Sequence, residues 1–214
     1  MTMIRHHLTD ALLMGYAAGS LPEAFSLLAA AHVSLCDECR ARLGSFEALG
    51  GTVLDDDVVP DGGSVAMSAG PEACLTRPVT AASILARAGI FPGPLADYVG
   101  GGVGAVKWRP LGMGVRQAIL KTARSASARL LYIPAGVAVP DHGHRGLELT
   151  LVLQGAFRDA TDRFGPGDVE IADADLQHVP TAEPGLDCVC LAATDAPLRF
   201  KDLLPRLLQP LFRI

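Results

Sequence analysis

Two textures of apolar and polar positions divide the chain. Over the first fifty residues the apolar positions recur at helical spacing. Thr9 can cap a short helix carrying Ala11, Leu12, Leu13, Tyr16 and Ala17. Gly19-Ser20 interrupts that pattern, and Pro22 stands at or near the first turn of the next helix, where its missing N–H does no harm. The second helix runs through Phe25, Leu27, Leu28, Ala29 and His32, and a third pattern, around Cys36 to Leu49, is predicted to stop at Gly50-Gly51. Residues 52 to 72, with Asp55-Asp56-Asp57, Pro60 and Asp61-Gly62-Gly63, read as an acidic loop. Thr80 can cap a further helix reaching about Ala88.

From Val106 onward short apolar runs alternate with turn residues. Arg116 to Leu120, Ala128 to Ile133, Leu147 to Leu153, Asp168 to Ile171 and Leu186 to Ala193 each read as a strand. Between the two textures lie Phe91-Pro92-Gly93-Pro94 and Gly100-Gly101-Gly102-Val103-Gly104, the composition of a linker. The pattern therefore predicts a two-domain α+β chain. Residues 1–90 form a small helical bundle, 91–105 a Pro/Gly-rich linker, and 106–214 an all-β sandwich or barrel. Trp108 and Arg109, close to the linker, are placed to pack one domain on the other.

Composition narrows the function classes. Half of the residues are hydrophobic and 19% are charged, so the chain can bury a core. It has no run of about 18 uncharged apolar residues, and the opening Met1-Thr2-Met3-Ile4-Arg5-His6-His7 lacks the apolar stretch of a signal peptide. A cytoplasmic protein without a membrane span is expected. Five cysteines, two of them in a C-x2-C pair, suit metal ligation better than a disulfide framework. Residues 1–90 carry five arginines, no lysine and ten carboxylates, a net of −5, while the remainder is formally neutral. That sign disfavours direct contact with nucleic acid, including a zinc-stabilised DNA-binding module, and favours a basic protein partner.

Five of the six histidines fall into clusters with metal-ligand spacing. His32, Cys36 and Cys39 stand at i, i+4 and i+7, one face of a helix. A closed tetrahedral site needs a fourth ligand, which His6 or His7 can supply. The plain alternative is a pair of buried cysteines beside an ordinary helical histidine. Asp37 and Glu38, between the cysteines, read as solvated surface charges before partners of the ligating side chains. The segments Ile4-Arg5-His6-His7-Leu8 and His32-Val33-Ser34-Leu35-Cys36-Asp37-Glu38-Cys39-Arg40 resemble the zinc-binding anti-sigma domain, and the ChrR family in particular. The resemblance implies His7, His32, Cys36 and Cys39 as ligands of a structural zinc.

The second cluster is Gly136-x5-His142-x-His144-x3-Glu148-x6-Gly155, similar at every spacing to the first cupin motif. On a strand, His142 and His144 point to one face, and the following turn brings Glu148 to the same cavity. Cupins complete the set with a histidine from a second hairpin; here it follows Gly165-Pro166-Gly167-Asp168, and His178 is the remaining candidate despite a longer gap than usual. Such a His3Glu set holds zinc or another divalent metal such as Mn, Fe or Ni.

A helical anti-sigma module followed by a cupin jelly-roll barrel is the ChrR arrangement. It implies a non-enzymatic regulator that binds and inhibits an extracytoplasmic-function sigma factor as a heterodimer. Its cupin would be needed for the response to oxidative stress such as singlet oxygen. The rival expectation is a metal-dependent cupin enzyme, an oxygenase or isomerase, using an open coordination position. Cys188 and Cys190, two apart on a strand, read as buried core thiols before oxidisable sensors, and Cys74 as incidental.

Overall fold

The structure, a computed structural model, describes residues 3–56 and 89–200 of the 214-residue chain. The helix expected from Thr80, most of the acidic loop and Cys74 lie outside the described residues.

Helix α1 spans Asp10–Ala17, and Thr9 caps it by accepting a hydrogen bond from Leu12 N at 3.3 Å. Helix α2 spans Glu23–Leu35 behind Pro22, as the sequence pattern anticipates. Helix α3 departs from expectation, running Asp37–Asp56 straight through Gly50-Gly51. A glycine stops a helix when it turns left-handed, and neither of these two does so. A mid-helix glycine costs only about 1 kcal/mol relative to alanine, so it weakens a helix without ending it.

The Pro/Gly-rich stretch 91–105 contains a fourth helix, α4, at Gly93–Val99, followed by a short 3-10 turn at Val103–Ala105. Pro94 sits in the first turn of α4, Gly100 closes it with φ +79°, and Leu95 is wholly buried. α4 packs on α2. Tyr98 and the backbone N–H of Ala123 both donate to the Glu23 carboxylate, at 2.9 and 2.6 Å, so the start of α2 is anchored on the β-domain side.

Twelve strands follow among the described residues: β1 Arg109–Gly112, β2 Val115–Ile119, β3 Ser127–Ile133, β4 His142–Gly143, β5 Glu148–Gln154, β6 Phe157–Arg158, β7 Arg163–Phe164, β8 Val169–Ala172, β9 Gln177–His178, β10 Thr181–Ala182, β11 Cys188–Thr194 and β12 Arg199–Phe200. The five runs legible in the sequence are β2, β3, β5, β8 and β11. Together with β1 they make one antiparallel sheet in the order β1-β2-β3-β11-β5-β8. The short strands form two three-stranded sheets, β10-β6-β7 and β12-β4-β9, giving the jelly-roll cupin architecture.

Strand alternation assigns the two faces of the large sheet. Leu130, Leu149, Leu151, Leu191 and Ala193 share one buried core with Leu13, Phe25, Leu28 and Ala31 of the helices. α2 lies on β3, β5 and β11, so the helical unit caps the outer face of the cupin sheet. The opposite face, turned into the barrel, carries Ile133, Val152, Cys188 and Cys190, packed with Phe157, Phe164 and Ala182. Towards one end this inner face becomes polar. Arg129, Thr150 and Glu170 are buried there, and Glu148 begins β5 beside them.

Candidate metal centres

The first cluster assembles where the segment preceding α1 meets α2 and α3. His32 lies in the last turn of α2, Cys36 between the helices, and Cys39 in the first turn of α3. His7 comes from the extended residues before α1. His32 Nε2 is 3.2 Å from Cys39 Sγ, and His7 Nδ1 is 3.3 Å from Cys36 Sγ and 3.7 Å from Cys39 Sγ. One donor atom from each of the four lies within 4.8 Å of all the others. A tetrahedral zinc with sulfur at about 2.3 Å and nitrogen at about 2.0 Å has S···N edges of about 3.5 Å. The three measured separations straddle that value, so the donor set fits the ion.

His6 stands apart from this group. Its Nε2 lies 3.1 Å from Asp162 Oδ2, and its ring stacks on Phe164 at 4.4 Å. The structure thus brings His7, and not His6, to the four-donor cluster, as expected where successive side chains face opposite ways. Glu38 is exposed and also reaches the cluster. Its Oε2 lies 3.3 Å from His7 Nε2, on the ring nitrogen that faces away from the sulfurs, whereas Asp37 pairs with Arg40 on the surface.

Electrostatics at the cluster follow from burial. Desolvation lowers the pKa of His32 to about 4 and pushes the Cys39 thiol up to about 11. A neutral imidazole is ready to bind a cation, and the Cys39 thiol needs one before it gives up its proton.

The second cluster sits in the barrel mouth. β4 pairs with β9 so that His142 and His178 are direct cross-strand partners, and His144 follows two residues after His142. His178 Nε2 is 3.2 Å from His142 Nε2 and 3.3 Å from His144 Nε2. Three imidazole nitrogens at about 2.05 Å from a tetrahedral ion stand about 3.3 Å apart, which again matches. Strand pairing explains how His178 reaches the site despite the long gap after Gly167. Glu148 lies further out: its Oε2 is 4.0 Å from His144 Nδ1, and it does not join the three-histidine group. Burial raises its pKa to about 7.

Sequence reasoning missed the groups behind His178. Its Nδ1 donates to Asp159 Oδ2 at 2.7 Å and lies 3.2 Å from Glu170 Oε1. Burial pulls the His178 pKa down, but Glu170 and Asp159 outweigh it and hold the ring above its ordinary value. Asp159 is locked in turn, since its Oδ1 accepts from Thr161 N at 2.8 Å and Thr161 Oγ1 at 2.6 Å. His142 donates its Nδ1–H to Pro140 O at 2.8 Å. In both rings Nδ1 is engaged, which turns Nε2 toward the centre of the three-histidine group. A glutamate among the apolar neighbours of β8, Glu170 between Val169 and Ile171, was the available signal.

Residues 99–197 match the family described as the ChrR cupin-like domain. The chain is 61% identical over 214 residues to the anti-sigma-E factor ChrR of Cereibacter sphaeroides, covering 99% of both chains. It also superposes on the crystal structure of Rhodobacter sphaeroides SigE in complex with the anti-sigma ChrR, with a TM-score of 0.75 and 59% identity, covering 90% of this chain and all of that one. Similarity of this extent embraces the helical unit and the barrel together, and the chain therefore belongs to the ChrR family of anti-sigma factors.

Proposed function

We propose that this protein is a zinc-dependent anti-sigma factor. Residues 1–90 bind and inhibit an extracytoplasmic-function sigma factor as a heterodimer. A linker follows at 91–105, and the cupin of residues 106–214 serves the response to oxidative stress such as singlet oxygen. The observation that carries this reading is the full-length identity to a relative named as an anti-sigma factor. The four-donor cluster of His7, His32, Cys36 and Cys39 supports a zinc there. A bound zinc supplies cross-links among the terminal segment, α2 and α3, where separate side-chain contacts would be weak. His142, His144 and His178, with Glu148 beside them, suit zinc or another divalent metal in the barrel.

We read the protein as a regulator without an enzymatic step, acting in the cytoplasm and not contacting DNA itself. No helix among the described residues is long and apolar enough to cross a membrane. Release of the partner requires two conformations of different affinity, and the barrel site is where we place the signal. Co-expression with the cognate sigma factor tests the reading. Cys36→Ser/Cys39→Ser is expected to lose zinc and partner together, while His142→Ala/His144→Ala keeps the partner. A wild-type chain that retains no sigma factor would refute the central claim.

A further inference from the structure

The ten residues Asp159 to Asp168 of the cupin touch both metal clusters. At one end Asp159 holds the far nitrogen of His178. At the other end, His32 donates its Nδ1–H to the carbonyl oxygen of Gly167 at 2.9 Å, leaving Nε2 to face Cys39. The terminal segment that delivers His7 is fastened to the same turn. Asp168 Oδ1 accepts from Arg5 N at 2.6 Å and His6 N at 3.0 Å, and Val169 N donates to His6 O at 3.2 Å. The carboxylate is itself set by Gly165 N, which donates to Oδ2 at 2.8 Å, and Asp168 is only 3% exposed.

Gly167 fits this role for a steric reason. Its φ is +92°, and a Cβ there would stand 2.6 Å from Ile4 Cδ1. The segment could not lie so close over any other residue. Asp162 and Phe164 add contacts to the His6 ring.

We propose that Gly167 and Asp168 of the cupin are positioning residues for the metal centre of the helical unit. Gly167 O orients His32, and Asp168 fixes the backbone that delivers His7. The affinity of that centre for zinc is thus set from across the domain boundary. The inference rests on reading the four-donor cluster as a zinc site. Outer partners of metal-bound histidines typically contribute about 10- to 100-fold in metal affinity.

The test is a cobalt(II) titration of the full-length chain. It is read at the thiolate-to-cobalt charge-transfer band, to which the Cys36/Cys39 centre is the one contributor expected among the described residues, and is followed by zinc displacement. Asp168→Ala is expected to weaken binding about 10- to 100-fold and to shift the ligand-field bands, while metal at the three histidines of the barrel is retained. Asp168→Asn, which keeps an oxygen for Arg5 and His6, recovers most of the affinity. Arg5→Pro deletes one of the same bonds from the exposed terminal segment, and so probes the contact even where Asp168→Ala does not fold. Affinity and spectrum within twofold of wild type, in Arg5→Pro and in any folded Asp168→Ala, overturn the proposal. A wild-type chain that develops no thiolate–cobalt band removes the zinc reading beneath it, and this inference with it.

Discussion

His178 points two ways: its Nε2 stands 3.2 Å from His142 Nε2, and its Nδ1 donates to Asp159 Oδ2 at 2.7 Å. The carboxylate fixes both the tautomer and the ring plane. Asp159→Ala is therefore expected to weaken metal at the barrel site by about 10- to 100-fold. Metal content after dialysis against a graded chelator measures it, and an unchanged content would show that the hydrogen bond is not needed.

Acid acts on the metal-free chain through buried imidazoles. Burial lowers His32, His142 and His144 from 6.5 to about 4. Between those values the unfolded chain binds protons that the folded chain refuses. Their stabilisation is present above pH 6.5 and is lost as pH falls through the window. Glu148, raised from 4.5 to about 7 by burial, has the opposite sign and lowers stability as pH rises across that range. Burial raises Glu170 as well, with the same sign as Glu148; each group contributes at most about 1.4 kcal/mol per pH unit, so three histidines outweigh two carboxylates. Urea unfolding of the metal-free protein should show a lower midpoint at pH 5 than at pH 6.5. A midpoint that holds or rises on acidification contradicts the assignment.

Leu28 of α2 is completely buried in the core shared with Leu149, Leu151 and Leu191 of the sheet. Leu28→Ala is expected to cost about 2–5 kcal/mol. For a chain of this size that lowers Tm by about 2–4 °C per kcal/mol. Because one core serves both units, near-ultraviolet and far-ultraviolet signals should move together. A loss confined to the helical signal would show that the two units unfold separately.

Cys188 and Cys190 are both buried, with sulfurs 3.6 Å apart and the Cys190 pKa raised by its neighbour thiol and by burial. Cys190 is therefore not poised as a thiolate. In a Cys74→Ser background with zinc retained at Cys36 and Cys39, a disulfide dye should react with this pair only after denaturant is added. Fast labelling of the native chain would instead make them exposed sensors.

The elements legible in the sequence were the ones whose evidence is local. α1 announces itself through Thr9 and a helical stripe, and β3, β5 and β11 through long apolar runs. Two-residue strands such as β4 and β9 carry no periodicity at all, and they form only because the barrel closes around them. The extension of α3 through Gly50-Gly51 was hidden because a glycine ends a helix only when it turns left-handed, which its identity alone does not fix.

The candidate metal-binding side chains were legible in the sequence alone, because His32, Cys36 and Cys39 are spaced by helical geometry and His142 and His144 by strand geometry. What only the tertiary structure decided is everything that depends on contacts between distant segments. The pairing of β4 with β9 delivers His178, the terminal segment brings His7 and not His6 to the four-donor cluster, and Asp159, Gly167 and Asp168 stand behind the histidines of both centres. Spacing along a chain encodes which residues share a face. The groups that meet that face from elsewhere are chosen by packing, which a linear pattern does not record.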